Sequence, residues 1–544
     1  MKVLVLGGVA AGTKIAAKLM RENRANEVLV LNKGKDISYA GCGLPYYVGH
    51  VIQEQEELIV NTPEKYEKLT GVQVLTETEA IKVDPQEKRV TAVDLKTGEE
   101  RGYEYDKLVI AVGASPAKPP VPGCDLKNVF FMRTPEDAIG LRSLIDEGNI
   151  KKAVVIGAGY IGLEIAENLK TLGVRPFVLD MAPQILAPGF DKEMADYAEG
   201  KLSENGIPVV TGVAVTAIEG DGKVEKVVTS KRAYKADLVV LSAGIRPNTE
   251  FLKDTGLEMF QGTILTNQYG ETNLADIYAA GDCAMVHNAI TGKAVWSPMG
   301  STANIAGRII AQNIMGAKIP YRGVLGTAVC KLPGLNVGRT GLTEAQARAE
   351  GFDPVSVVVL VDDKAHYYPG AGTLVVKMIA DRSTERLIGL QVMGSGAVDK
   401  MVDIAVTGIM LKGTLNDLSD LDFAYAPPFS TAIHPFTNAL NVLKNKIRGT
   451  FETFTPAEYA KGEAEGYRLV DASLRPTTEG APYVDLTTVN GVIDGLDPKE
   501  KLLLVCNKGK RAYLLQNRMK YYGYEHTRVL EGGNMFTDVE AEEP

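Results

Sequence analysis

The chain has 544 residues, with 59 Lys and Arg against 68 Asp and Glu and a net charge of −9. At roughly 150 residues per domain there is room for three or four domains. With 45% hydrophobic and 23% charged residues, a mostly disordered chain is excluded, and the acidic balance speaks against nucleic-acid binding, which usually goes with basic surfaces.

Five cysteines, Cys42, Cys124, Cys283, Cys330 and Cys506, are scattered without a CxxC pair. That spacing fits neither a disulfide framework nor a zinc site, so no metal is expected and a reducing cytoplasm is the expected location. No apolar run reaches ~18 residues, so no membrane partner is expected. The N-terminal Lys and apolar run resemble a signal peptide, but a glycine cluster interrupts them and Lys14 and Lys18 follow. They read better as strand, turn and helix.

In chain order, Lys2–Leu6 is a predicted strand. Gly7-Gly8-Val9-Ala10-Ala11-Gly12 follows, then an Ala-rich helix to about residue 24 and a second strand, Glu27–Leu31. The same grammar returns at Lys152–Ile156, Gly157-Ala158-Gly159-Tyr160-Ile161-Gly162, a helix to about residue 172, and Arg175–Leu179. Two such units, each with glycines at the strand–helix junction, predict two Rossmann-like dinucleotide-binding folds, with a pyrophosphate on the helix N-terminus. Two apolar runs, 108–113 and 273–282, read as strands of the first unit; a Pro-rich link, 115–123, leads away from it. After Tyr321 the strand patterns 355–360, 372–379 and 387–393 precede helical patterns ending near Lys446. A composition shift at 449–456 opens a last segment of about 90 residues, expected to be a separate small domain.

An acidic residue at the end of the second strand usually binds ribose hydroxyls. The second unit has Asp180 there, which would repel a 2′-phosphate and favours NADH over NADPH. The first unit has Asn32-Lys33 instead, where Asn is expected to bond a diol. Gly281-Asp282 is expected near the ribityl and phosphate part of a flavin.

At this point the chain resembles the flavoprotein disulfide reductases, through GGVAAG, LVIAVGA, GAGYIGLE and NLADIYAAGD. The resemblance covers about residues 1–447 and implies an α/β protein: an FAD-binding domain (1–115 and 265–322), an NAD-binding domain (116–264) and an α+β dimerisation domain (323–447). It implies FAD contacts at Gly7, Gly8, Ala10, Ala11, Gly12, Asn32, Lys33, Ala111, Gly113, Gly281 and Asp282. For NAD it implies Gly157, Gly159, Tyr160, Ile161, Gly162, Glu164, Asp180 and Gly244, with Tyr160 and Glu164 at the nicotinamide.

Most such reductases carry C-x4-C after the second strand. Here Ser38-Tyr39-Ala40-Gly41-Cys42-Gly43-Leu44-Pro45 holds one cysteine, so its partner sulfur must come from outside, or it is oxidised to a sulfenic acid. A helix N-terminus after Cys42 is expected to lower its pKa; Cys124, Cys283 and Cys330 are expected to be structural. The stretch is most similar to the coenzyme A disulfide and persulfide reductases. The peroxidase type has a His in the first glycine loop, and Val9-Ala10-Ala11 has none. Lys14, Lys18 and Arg21 share one helix face and suit the phosphates of coenzyme A; the resemblance adds Ser38, Asn304 and Arg308, while the family's Asn before the cysteine is Gly41. It further implies a homodimer in which Tyr367 and Tyr425 of one subunit reach the other's cysteine and substrate sulfurs. His434, in a Pro-flanked turn, is expected to be structural.

Cys506-Asn507-Lys508-Gly509-Lys510-Arg511 follows the apolar run 502–505 and opens a helix at 512–522. C-x-x-G-x-R curls N–H groups toward a sulfur, and the basic residues favour a thiolate or persulfide. Residues 453–538 resemble a rhodanese, with Cys506 and Arg511 catalytic and Leu530-Glu531-Gly532-Gly533 as its end motif, giving a small α/β rhodanese-like domain over 453–544. Val470-Asp471-Ala472-Ser473 lacks the usual Arg, and the short stretch 479–490 replaces a usual segment.

The expectation is therefore an NADH-dependent FAD oxidoreductase that reduces coenzyme A persulfide, polysulfide or disulfide through Cys42, with Cys506 handling sulfane sulfur. The alternatives are an NADH oxidase or peroxidase cycling through a sulfenic acid, and a redox-sensing flavoprotein scaffold.

Overall fold

The computed structural model describes residues 1–540 and divides into two compact units, Met1–Pro183 with Gly206–Val324, and Gln184–Asn205 with the described residues from Leu325 onward.

The first unit holds two parallel five-stranded sheets. One has the order Ile277–Ala279, Lys107–Ile110, Lys2–Leu6, Glu27–Leu31, Gln73–Leu75. Alternate side chains of its central strand feed two cores. Val3 and Val5 pack with Ile15, Leu19 and Ile310, while Leu4 and Leu6 pack with Leu108, Ile110 and Cys283. Burial on both faces is what a parallel sheet requires. The other sheet repeats the plan: Val209–Val210, Arg175–Leu179, Lys152–Ile156, Leu238–Leu241, Val129–Phe131.

Each sheet is accompanied by a three-stranded antiparallel sheet, Thr78–Glu104 for the first and Val215–Lys235 for the second. These short, half-exposed strands escaped the sequence reading. Two expected strands are shorter. The run 273–282 is strand only at Ile277–Ala279, because the Asn273 side chain is spent on the backbone at 256–258 (Oδ1 accepts from Glu258 N, 2.9 Å) and Asp276 adopts φ +66°. The run 108–113 becomes Lys107–Ile110 and ends before Gly113, which has φ +64°.

In the second unit Ala328–Leu332, Leu335–Gly341, Arg386–Gly394, Thr373–Asp381 and Pro354–Asp362 form one antiparallel sheet. The first two of these strands were not anticipated. Helix Pro435–Ile447 packs against Pro354–Asp362; His434 caps it, its Nδ1 accepting from Phe436 N at 3.2 Å. The C-terminal part is a parallel sheet ordered Thr453–Phe454, His526–Leu530, Lys501–Val505, Arg468–Asp471. Among the described residues, no helix is long and apolar enough to cross a membrane.

Candidate functional site

The two glycine loops are built alike. Gly7 has φ +101°, and a Cβ there would lie 2.2 Å from Ala111 O; a Cβ on Gly12 would lie 1.8 Å from Gly7 O. In the second loop the matching distances are 2.4 Å from Gly157 to Ser242 O and 1.9 Å from Gly162 to Gly157 O. These four glycines let helix and strand backbones touch. Gly159 and Gly244 have open space where a Cβ would stand, as a ligand-facing glycine needs. Asp180 ends its strand with Oδ2 accepting from Ala158 N (2.6 Å) and Oδ1 from Ala182 N (2.8 Å), beside the loop that would carry the dinucleotide. Ile161, on the first turn of helix Tyr160–Thr171, is exposed.

Against the first loop lies a cavity of ≈ 820 Å³. Gly7, Ala10, Ala11, Asn32, Lys33, Ala111, Gly113, Gly281 and Asp282 line it. Gly8 and Gly12 do not line it; a Cβ at either would meet protein atoms, the Ile37 and Asn32 side chains or Gly7 O. Asn32 is 5% exposed, and its amide is used on the backbone. Oδ1 accepts from Gly8 N (2.9 Å), and Nδ2 donates to Gly34 O (2.8 Å) and Asp36 O (3.0 Å). The Asn expected to bond a diol thus shapes the loop. Lys33 pairs with Glu79 (2.8 Å), which also lines the cavity. Arg133 lines it too and donates to Asp282 Oδ2 at 2.7 Å. Glu79 and Arg133 lie on an unanticipated strand and beside a helix cap, without a motif to mark them. A long cleft, a glycine cradle no side chain would fit and one guanidinium–carboxylate pair suit an FAD-sized dinucleotide.

Cys42 sits in a short turn, Gly41–Gly43, before the five-residue helix Leu44–Val48. That segment is pinned from three sides. Arg142 donates to Ile52 O (3.2 Å) and Gln53 O (2.8 Å), and its guanidinium lies 4.4 Å from the Tyr47 ring centre. A Cβ on Gly49 would lie 1.9 Å from Asn168 Oδ1. The Tyr46 hydroxyl donates to Glu164 Oε1 at 3.0 Å, tying the Cys42 segment to the expected nicotinamide helix. The Cys42 residue is exposed, while the atoms around its sulfur partly desolvate it. That desolvation, then the Glu164 and Asp282 carboxylates, push the thiol above its ordinary range against the pull of Arg133. The expected lowering is therefore not met in the polypeptide alone: desolvation first, and then the two carboxylates, act in the opposite direction. Cys124, Cys283 and Cys330 are buried, as expected of structural thiols.

Helix Ala11–Glu22 packs on Gly300–Ile314. A Cβ on Gly307 would lie 3.5 Å from Lys14 Cβ, so Lys14 stands at the crossing of the two helices. Asn304 donates to Gly300 O at 2.8 Å, Lys18 pairs with Glu22 on its own helix, and Arg21 is exposed. Ser38 has φ +48°, and Asn61 Nδ2 reaches its hydroxyl at 3.5 Å.

In the second unit Tyr367 and Tyr425 are 66% and 48% exposed. A hydrogen bond to Tyr367 raises the Tyr425 hydroxyl above its ordinary range. Cys506 is buried in the core of the C-terminal sheet. Ala512 N donates to its Sγ at 3.4 Å, and Asn534 N to its carbonyl at 3.1 Å. Glu531 is buried and accepts from Val358 N (2.7 Å), Lys446 Nζ (2.7 Å) and Thr453 Oγ1 (2.6 Å). The basic residues are used differently from expectation. Arg511 donates from Nε to Ala472 O (3.1 Å) and pairs with Asp485 (3.4 Å), and Lys508 donates to Asp362 and Thr373. Backbone N–H, not those two cations, is what meets the sulfur. Among the described residues no cluster of three or more His, Cys, Asp or Glu is arranged to hold a metal.

Residues 1–303 match the pyridine nucleotide-disulphide oxidoreductase family, and residues 327–436 match its dimerisation domain. An NADH oxidase of Methanocaldococcus jannaschii is 36% identical over 450 residues, covering 82% of this chain and 100% of the relative. An NAD(P)H coenzyme A polysulfide/persulfide reductase of Pyrococcus horikoshii is 37% identical over 444 residues, covering 81% and 98%. The structure of a NAD-dependent persulfide reductase from A. fulgidus superposes with a TM-score of 0.93 at 35% identity, covering 98% of this chain and 100% of that one. That coverage takes in the C-terminal sheet, which lies beyond the matched family regions.

Proposed function

The chain belongs to the pyridine nucleotide-disulphide oxidoreductases and is an FAD-dependent enzyme, and from that premise we propose that it uses NADH to reduce coenzyme A persulfide, polysulfide or disulfide. The observation that carries this reading is Cys42: a lone cysteine whose sulfur feels Asp282 of the cavity and Glu164 of the nicotinamide-side helix. The polysulfide/persulfide reductase relative supports the acceptor class.

Bound FAD would supply hydride equivalents from the nicotinamide to the sulfur. Gly7, Ala111 and Asp282, which line the cavity, would hold that cofactor. Gly157, Gly159, Gly162 and Asp180 hold NADH, with Asp180 on its ribose. Lys14, Arg21, Ser38, Asn304 and Arg308 take the coenzyme A. Cys42 thiolate attacks the coenzyme A-bound sulfur of the disulfide, forming a Cys42–coenzyme A mixed disulfide and releasing coenzyme A thiolate. From the persulfide, the same attack releases hydrosulfide. Two electrons from NADH then cleave the mixed disulfide and return both thiolates. Tyr367 and Tyr425 of a second copy donate O–H to these sulfurs, so the working unit is a homodimer. We assign 1–115 and 265–322 to FAD, 116–264 to NAD, 323–447 to dimerisation and 453–544 to a rhodanese-like module whose Cys506 carries sulfane sulfur by transpersulfidation. Five free cysteines suit a cytoplasmic location.

The M. jannaschii relative favours a second reading, an NADH oxidase working through Cys42 sulfenic acid. One experiment separates them: NADH oxidation by wild type and Cys42→Ser with coenzyme A disulfide, coenzyme A persulfide, polysulfide, or air alone. Turnover confined to the sulfur acceptors and abolished in Cys42→Ser, with flavin reduction by NADH retained, is expected. Wild-type turnover in air at the rate seen with sulfur acceptors would sink the reductase reading.

A further inference from the structure

We propose that Lys508 is a positioning residue: it closes the mouth of the hairpin that carries Tyr367 and so sets where that hydroxyl stands. The inference rests on the reading above in which Tyr367 serves the sulfurs at Cys42.

Strands Pro354–Asp362 and Thr373–Asp381 are paired in register, with Asp362 opposite Thr373. Residues 363–372 connect them and include His366-Tyr367-Tyr368. Lys508 Nζ reaches both sides of that last rung. It donates to Asp362 Oδ1 at 2.7 Å and to Thr373 Oγ1 at 2.9 Å. One residue further in, Asp363 Oδ1 accepts from Gly372 N at 2.7 Å. Beyond that point the connection turns on Tyr368 N to Ala365 O (2.8 Å) and Ala371 N to Tyr368 O (3.1 Å). Tyr367 stands exposed at the end. A charged donor shared by two strands at a loop's base fixes the angle at which the loop leaves the sheet, and an exposed tip amplifies any change in that angle.

The position of Lys508 is itself set by the Cys506 loop. Gly509 adopts φ +82°, Asn534 N bonds to Cys506 O, and Met535 N bonds to Asn507 O, both at 3.1 Å. Lys508 therefore hands the geometry of one sulfur site to the tyrosine of the other. A basic residue in a sulfur-binding loop has an obvious use as a counter-charge for the sulfur; here its ammonium is directed to the neighbouring sheet.

Coenzyme A disulfide is the acceptor to use, because its reduction in the proposed cycle involves Cys42 and not Cys506. Lys508→Met is expected to lower kcat for this substrate about tenfold with KM within about twofold, since a small misplacement far from the chemistry acts on the reacting geometry. Lys508→Arg restores most of the rate, and Asp362→Asn repeats the loss from the other side of the bond. The deciding measurement is the double variant. Lys508→Met combined with Tyr367→Phe should be no slower than Tyr367→Phe alone, because both remove one contribution. A wild-type kcat in Lys508→Met, or losses that multiply in the double variant, overturns the inference while leaving the Tyr367 reading intact. A wild-type kcat in Tyr367→Phe sinks that reading, and the inference with it.

Discussion

Lys377 lies on the inner strand Thr373–Asp381, between Arg386–Gly394 and Pro354–Asp362, and its side chain is only 3% exposed. Its ammonium meets Asp191 and Glu344, each at 3.1 Å, and Glu193 more closely. Asp191 also accepts from Gln391 Nε2 at 2.6 Å, and Glu344 from the Ser356 hydroxyl at 2.8 Å and from Arg348. Replacing Lys377 by Met removes the one buried cation from three carboxylates. Breaking a buried pair by removing one partner costs about 3–5 kcal/mol. For a folding unit of this size, each kcal/mol moves the melting temperature by about 2–4 °C, so a drop of about 6–20 °C is expected at pH 7. The pH dependence has a definite sign. Burial pushes Glu344 up, but Lys377, Ser356 and Arg348 together outweigh it and hold the carboxyl at about 2, against an ordinary 4.5. A folded value below the unfolded one contributes stability above about pH 4.5 that is lost as pH falls toward 2. In Lys377→Met burial dominates, so Glu344 instead destabilises the fold when ionised and relaxes on protonation. The gap between wild type and variant should therefore narrow from pH 7 to pH 4.5 in thermal unfolding. A drop under 2 °C at pH 7, or a gap that widens on acidification, would refute the reasoning.

Asp180→Asn should raise the ratio of kcat/KM for NADPH over NADH by about tenfold or more, the ~1.4 kcal/mol that a like-charge contact with a 2′-phosphate readily costs; an unchanged ratio in steady-state assays would remove Asp180 from the ribose site. Cys506→Ser should spare NADH oxidation with coenzyme A disulfide and slow it with polysulfide. Equal losses in both assays would mark the cysteine as structural, and no loss in either would mark the module as idle.

The parts of the fold that show in the sequence are those where chemistry and backbone make the same demand. Gly7, Gly12, Gly157 and Gly162 must lack a Cβ because backbone oxygens stand about 2 Å from where it would be, so both glycine loops are readable without a structure. The three long strands after Pro354 are readable because nearly every side chain in them is buried. The antiparallel sheets at Thr78–Glu104 and Val215–Lys235 are not, since short half-exposed strands carry no run of apolar residues. Arg133 and Glu79 have no local signature either: each matters through a partner, Asp282 or Lys33, that folding brings from far along the chain. Asn32, Lys508 and Arg511 show the converse. Their residue types suggest ligand contacts, yet each is spent on protein atoms.

Cys42 ties these threads to the assembly. Within its own unit the sulfur has two carboxylates acting against one guanidinium, together with partial desolvation, and all but Arg133 favour the thiol. A nucleophile that must leave and return as a thiolate needs donors aimed at it. Tyr367 and Tyr425 offer two hydroxyls exposed on the unit surface, where they serve no interior group of their own unit. In the proposed dimer, the electrostatic deficit at one copy's Cys42 and the surplus of exposed donors on the other copy answer each other. Separating the copies should then raise the pH at which Cys42 reacts with an alkylating agent, because the sulfur loses its donors while Glu164 and Asp282 remain.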